Sequence, residues 1–315
     1  MSIDIIRTGD RWYVQKSETT GTLVDTDAAT TAELLGAHDA IAAAVAGADA
    51  ALPGTPLQSP VTAPCRVVAQ MTNFVSHITD SGMNPDVVPM TFFRKTSHSI
   101  SGPVDDIVKP DHVRFLDYEV EVGLVIGEPV PVGTTITQAT IASHVAALVI
   151  TNDVSARDLQ LPKTQFFEAK SYPTFTPTGP RLVVLEAGDW NHFEQLRLTL
   201  SVNGETRQDA VVGKDMLYKP LEALRGLARF QPLSTGDLVL TGTPGGTALV
   251  APPKPIEIIG ALLPPAVKWK AFFKAQAKNP KYLADGDVVE VAVRTDDGAL
   301  DLGRQRSTVR HSRKP

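Results

Sequence analysis

Phe115-Leu116-Asp117-Tyr118-Glu119-Val120-Glu121-Val122-Gly123-Leu124-Val125-Ile126 places an apolar side chain at every second position from Leu116 to Ile126. Successive side chains of a β-strand point to opposite faces, so this spacing predicts a strand with one core face. Asp117, Glu119 and Glu121 then share the other face. Like charges at i and i+2 repel, which is tolerated where the face is solvated or where a cation sits between them. On spacing alone the expectation is a solvated sheet face. A third acid weighs against that. The apolar run Ala146-Ala147-Leu148-Val149-Ile150 ends in Thr151-Asn152-Asp153, so a carboxylate emerges where a buried strand meets its loop. Three carboxylates suit a hard divalent ion such as Mg²⁺ or Mn²⁺, with Ca²⁺ open to the same oxygen donors. Asp153 by itself is equally a turn-capping Asx residue.

Around this strand the chain is rich in short β-type segments: Arg66–Gln70, Ala146–Thr151, Arg181–Leu185, Leu196–Val202, Leu238–Leu240 and Val288–Arg294. Helical periodicity is sparser, clearest in Ile136–Ser143, Pro220–Phe230 and Ala266–Ala277. Many strands joined by long loops predict a β-rich α+β fold and not a doubly wound parallel sheet. Ahead of them, Ile3–Val14 alternates loosely, and Asp25–Asp27 offer caps to an Ala-rich helix over Ala28–Ala51, interrupted at Gly47. A connector punctuated by Pro53, Pro56, Pro60 and Pro64 follows. The expected organisation is a small N-terminal α/β module over 1–60 and a larger β-rich domain over 61–315.

The 315 residues carry 30 Lys+Arg and 35 Asp+Glu, a net charge of −5, with 43% hydrophobic residues. A chain of this size buries a core without disulfides or structural metal. The basic tail Arg310, Arg313, Lys314 is too short for a nucleic-acid or anionic-membrane footprint, so neither partner is expected. The single cysteine, Cys65, leaves no intramolecular disulfide and no thiolate cluster. The first residues lack the basic stretch and apolar run of a signal peptide, and a cytoplasmic location is the expectation. No apolar stretch approaches the ~18 residues of a spanning helix, Ile258–Val267 being broken by Gly260 and Pro264-Pro265.

Further segments complete the pattern: Asn73-Phe74-Val75-Ser76-His77-Ile78-Thr79-Asp80, Phe92-Phe93-Arg94-Lys95, Asn152-Asp153-Val154-Ser155-Ala156-Arg157-Asp158-Leu159-Gln160, Lys170-Ser171 through Gly179-Pro180, and Thr241-Gly242-Thr243-Pro244-Gly245-Gly246. In this order, with the acidic pair, they resemble the fumarylacetoacetate hydrolase family from about residue 65 to the strand Asp287–Arg294. The resemblance implies a mixed β-sandwich roll, a Mg²⁺ or Mn²⁺ ion on Glu119, Glu121 and Asp153, and a homodimer. It implies Lys170 beside the ion, with Arg157 and Gln160 supporting it. It also implies Thr243 as a hydrogen-bonding partner of a substrate carboxylate or carbonyl, and Lys95 near the mouth of the site. The Walker pattern is absent, so the glycine turn is not read as a phosphate cradle.

Hydrolysis needs a base, and a neutral imidazole near pH 7 suits that role, which falls to His77. On a helical turn His77 and Asp80 share a face, so Asp80 is expected to orient the ring. The family segment reads Asn-Tyr-x-x-His-x-x-Glu, and here Phe74 and Asp80 depart from it, the aspartate being one methylene shorter. A second departure is the stretch near 248–284, where Trp269, Phe272 and Phe273 fall on one helix face, read as a packing stripe on a lid or dimer element. The expected activity is metal-dependent hydrolysis of a carbon–carbon bond in a small 2,4-diketo acid. A 2-keto acid isomerase, hydratase or decarboxylase is the alternative, favoured if Asp80 does not support His77. A non-catalytic metal-holding protein is the alternative outside enzymes.

Overall fold

The computed structural model describes residues 2–186 and 188–312; Arg313 and Lys314 of the basic tail lie outside the described residues. Two sheets form the frame. The larger runs, edge to edge, Ala50–Ala51, Thr20–Leu23, Arg11–Gln15, Ile3–Thr8, Arg181–Val184, Val145–Asn152, Val120–Ile126, Leu238–Leu240, Val67–Met71 and Thr91–Lys95, with Leu57–Gln58 paired to Ile3–Thr8. The smaller runs Glu205–Val211, Leu196–Val202, Val288–Thr295, Asp301–His311 and Ile107–Lys109.

The main core lies between the sheets, joining Val68, Leu124, Leu148 and Val183 to Leu198, Leu200, Val289 and Leu302. The opposite face of the large sheet holds a second core, in which Ile5, Trp12, Leu34 and Ile41 cover Val67, Val125, Leu182 and Leu238. The first 60 residues thus add strands to the large sheet, with Ile5 opposite Leu182, and share its outer core. A sheet covered on both faces buries every side chain of its central strands. Val120–Ile126 is buried at all seven residues. The expectation of a solvated acidic face is therefore corrected: the alternation is real, but the second face is also inside. Gly123 is required there, since a Cβ would meet Val149 Cγ2 at 2.7 Å.

Several elements depart from expectation for local reasons. The Ala-rich stretch forms two helices, Thr31–Gly36 and His38–Ala46, and Ala50–Ala51 is a strand. The first helix is capped by Thr30, with Glu33 closing a capping box, and not by Asp25–Asp27. Of the predicted Ile136–Ser143 only the last three residues are helical, within the helix Ile141–His144. The strands Thr91–Lys95, Glu205–Val211 and Asp301–His311 carry too many polar residues to announce themselves. Within the 248–284 stretch, helices Lys254–Ala261 and Pro265–Gln276 form, and Phe273 stacks on Phe115 with ring centroids 5.5 Å apart. Among the described residues no helix is long and apolar enough to cross a membrane.

Candidate active site

Two central strands bring the acids together. Val120–Ile126 and Val145–Asn152 pair antiparallel with Val120 opposite Asn152 and Glu121 opposite Thr151. The Asp153 N–H then donates to the Glu119 carbonyl at 2.8 Å, and the Asn152 side chain accepts from the Glu119 N–H at 2.9 Å. Glu119, Glu121 and Asp153 are buried, and each offers an oxygen within 4.8 Å of the others. The site is built at the ends of neighbouring strands whose register fixes the spacing.

Cations close around two of the three. Lys170 Nζ donates to Glu119 at 2.7 Å and to Asp153 at 2.6 Å. Arg157 donates to Glu119 at 2.6 Å, to Asp117 at 2.8 Å and to Gln160 at 2.8 Å. Lys95 donates to Asp153 and, at 2.9 Å, to the Phe175 carbonyl. Burial works against the Glu119 charge, but Lys170 and Arg157 outweigh it and hold its pKa down to about 2. For Lys170, burial is likewise outweighed, by Asp153 and Glu119, and its pKa rises. Burial dominates at Lys95 and lowers its pKa despite Asp153.

Glu121 differs. Its carboxylate accepts from the Gly242 N–H at 2.6 Å, and no ion pair to it is found among the described residues. Burial, then Asp153 and Glu119, push its pKa well above the usual carboxylate range. An oxygen-only donor set with one member short of positive charge fits a hard divalent cation. With every group ionised, Asp117, Glu119, Glu121 and Asp153 against Lys95, Arg157 and Lys170 give a formal 3 − 4 = −1 in the buried cluster. A divalent ion converts that to +1, a charge that suits an anionic substrate.

His77 lies on the short helix Val75–Asp80 and is buried. Burial lowers its pKa against the pull of Glu119, so the ring is neutral at pH 7. Its Nδ1 has no hydrogen-bond partner among the described residues. The expected support from Asp80 is not formed at that atom. Asp80 Oδ2 instead accepts from the Gly246 N–H at 3.0 Å, the glycine turn offering a fixed donor to the short side chain. Gly246 itself approaches the Arg207 carbonyl too closely for any Cβ and has φ +97°.

Thr243 is buried and its Oγ1 accepts from Gln208 Nε2 at 2.8 Å. Arg157 and Gln160, read as substrate supports, are joined to each other, and Arg157 to Glu119; Lys95, read at the mouth, is 3% exposed and holds Asp153. Sequence reading gave no role to Gln208, Asp117, Asn73 or Ser76. Asp117 receives the Ala248 and Leu249 N–H groups at 2.8 and 3.0 Å as well as Arg157, tying the 248–284 stretch to the site. Asn73 donates to the Thr241 carbonyl at 2.8 Å, and Ser76 Oγ accepts from Gly245 at 2.7 Å. Asn73 and Ser76 stand in a matched segment, whereas Gln208, inside a polar strand, carries no periodic signal.

A triad of buried carboxylates with lysine, arginine and histidine around it is a donor set that could hold a divalent ion. The family model for the fumarylacetoacetate hydrolase C-terminal domain matches residues 66–310. The chain belongs to that family, whose enzymes generally bind divalent metals. It is 33% identical over 276 residues to the 2,4-didehydro-3-deoxy-L-rhamnonate hydrolase of Sphingomonas sp. (strain SKA58), covering 85% of this chain and 82% of that one. It is 34% identical over 197 residues to the mitochondrial oxaloacetate tautomerase FAHD2A of Bos taurus, covering 62% of this chain and 60% of that protein's length. A probable 2-hydroxyhepta-2,4-diene-1,7-dioate isomerase from Mycobacterium abscessus shares the fold over 100% of both chains, with TM-score 0.76 and 28% identity.

Proposed function

We propose that the protein is a divalent-metal-dependent enzyme that interconverts keto and enol forms of a short 2-keto acid. The observation that carries this reading is the buried triad with Lys170 against two of its members and a neutral His77 whose Nδ1 is free of a carboxylate partner. Glu119, Glu121 and Asp153 would hold Mg²⁺ or Mn²⁺, which when bound supplies Lewis-acid polarisation of the substrate's keto group.

The side chains do the rest. His77 Nδ1 takes the proton from the carbon beside the keto group as that C–H bond breaks, and the enolate oxygen takes up a proton from water to give the enol; in the reverse direction the enol O–H proton goes to water and His77 returns its proton to carbon. Lys170 and Arg157 keep positive charge where negative charge grows on oxygen. Thr243 binds the substrate carboxylate, and Gln160 and Lys95 hold Arg157 and Asp153 in place. Asp80 fixes the turn that carries Thr243.

Hydrolysis of a carbon–carbon bond in a 2,4-diketo acid is the second reading, favoured by the 85% coverage shared with a hydrolase. There His77 takes a proton from water as its oxygen adds to the distal carbonyl, the bond to the middle carbon breaks, and that carbon is protonated. We further propose that the protein works in the cytoplasm as a homodimer.

The test is incubation of metal-stripped protein with oxaloacetate and a panel of acylpyruvates, with and without Mg²⁺ or Mn²⁺, following enol absorbance and product masses, with Glu121→Ala as control. Unchanged mass with metal-dependent loss of enol absorbance is the expected result. Addition of water with cleavage transfers the assignment to the hydrolase reading. Loss of carbon dioxide transfers it to a decarboxylase, and no metal-dependent change overturns the enzyme reading.

A further inference from the structure

Several polar groups of the turn Thr241–Gly246 are committed to protein. The Thr241 carbonyl receives Asn73, the Gly242 N–H goes to Glu121, the Gly245 N–H to Ser76, the Gly246 N–H to Asp80, and the Pro244 carbonyl receives Gln208. Gln208 comes from the strand Glu205–Val211 in the smaller sheet and is 1% exposed. Its Oε1 accepts the Val120 N–H at 3.0 Å, between two carboxylates of the triad. Its Nε2 donates to the Pro244 carbonyl at 2.8 Å and to Thr243 Oγ1 at 2.8 Å.

The orientation of this amide is fixed by backbone. Val120 N–H can only donate and the Pro244 carbonyl can only accept, so a flipped amide would face like against like at both. Both Nε2 hydrogens are therefore used, and Thr243 Oγ1 must act as an acceptor toward Gln208. A hydroxyl that accepts from one side has its own hydrogen left to donate on another.

We infer that Gln208 is a positioning residue that sets the polarity of Thr243, turning its hydroxyl into an outward hydrogen-bond donor beside the triad. This makes the turn select an oxygen acceptor, the carboxylate end of the substrate, over a donor group. The inference rests on the proposed reading of the site as one for 2-keto acids. It adds a residue from outside the recognised segments, one that spans both sheets to join the ligand strand to the substrate turn.

The experiment is a double-mutant cycle with Gln208→Glu and Thr243→Val. Glutamate keeps the Val120 acceptor but, when ionised, has no hydrogen to give, so it draws the Thr243 hydrogen inward. Each single variant is expected to raise KM for the accepted acid about tenfold with kcat within about threefold, and the double variant is expected to be no worse than either. A merely structural role predicts the opposite split, kcat and the unfolding midpoint falling with KM unchanged. Additive effects, or an unchanged KM in Gln208→Glu, overturn the inference. If Gln208→Glu does not fold, Gln208→Met reads the same coupling, with the same non-additivity expected and additivity again fatal. Calorimetry with pyruvate and Mg²⁺ separates the two layers. Tenfold weaker pyruvate binding in the variants, with no turnover of any panel substrate by the unmodified protein, sinks the proposed reaction and leaves this inference standing. Equal pyruvate affinity in Gln208→Glu sinks the inference, and no pyruvate binding by the unmodified protein sinks both.

Discussion

Glu121 is the residue at which function costs stability. Its raised pKa means the folded, metal-free protein holds that proton more tightly than the unfolded chain. The associated stability is present at low pH and is lost as pH rises through the folded value. Glu121→Gln keeps an oxygen for the Gly242 N–H and removes the uncompensated charge. Metal-free Glu121→Gln is therefore expected to unfold a few degrees higher than the unmodified protein at neutral pH, a gain of about 1–3 kcal/mol. On the proposed function, Mn²⁺ is expected to raise the unfolding midpoint of the unmodified protein and to leave that of the variant where it is. Scanning calorimetry of both proteins with and without Mn²⁺ checks this, and a lower midpoint for the metal-free variant would refute it. The three acids were legible as a set because strand alternation and the end of an apolar run are sequence properties. Their burial was not, because the groups packed around them, Lys95, Arg157, Lys170 and the Gly242 turn, come from distant parts of the chain.

At the level of elements, the helix Val75–Asp80 and the turn Thr241–Gly246 act as one piece. Ser76 accepts from Gly245, Asp80 accepts from Gly246, and the Ser76 N–H is held by Asp215 at 2.8 Å. An asparagine at position 80 presents the same acceptor, so Asp80→Asn is expected to retain activity within about threefold. Asp80→Ala, which leaves the Gly246 N–H unpaired, is expected to raise KM about tenfold. Had Asp80 served His77 as a charged partner, asparagine would fail nearly as badly as alanine, and the acidic limb of the pH–rate profile would move. Steady-state kinetics of the two variants across pH 5–9 distinguish these outcomes. The helical turn itself was legible in the i, i+3 spacing of His77 and Asp80. What Asp80 touches depends on a turn more than 160 positions later in the chain, which spacing cannot reveal. The same holds for Asp301–His311, whose buried face includes Gln305 and Ser307 and so lacks an apolar rhythm.

Across the whole molecule, the first strand and the strand Asp301–His311 lie in different sheets, and one charged cluster links them. Arg181 on a central strand contacts Asp4 of the first strand at 3.2 Å and Asp301 of the last at 3.5 Å. Burial raises the Asp4 pKa to about 6, the attraction of Arg181 notwithstanding, and Asp301 adds to the rise. A carboxyl whose folded pKa exceeds its unfolded value, here about 6 against 3.8, stabilises the fold in its protonated form. That contribution is complete below the unfolded value and disappears as pH climbs through 6, so ionised Asp4 loosens the attachment of the first strand at neutral pH. Asparagine has the shape without the titration. Asp4→Asn is thus expected to match the unmodified protein near pH 3.8 and to exceed it progressively up to pH 6. Above that the gain levels at about 1–2 kcal/mol, discounted because the Asp4 side chain is 27% exposed and partly screened. Urea unfolding of both proteins from pH 4 to 8 gives the difference directly. A gap that is constant over that range, or that narrows as pH rises, would show that Asp4 is not the group whose ionisation strains the junction between the first strand and the sheet.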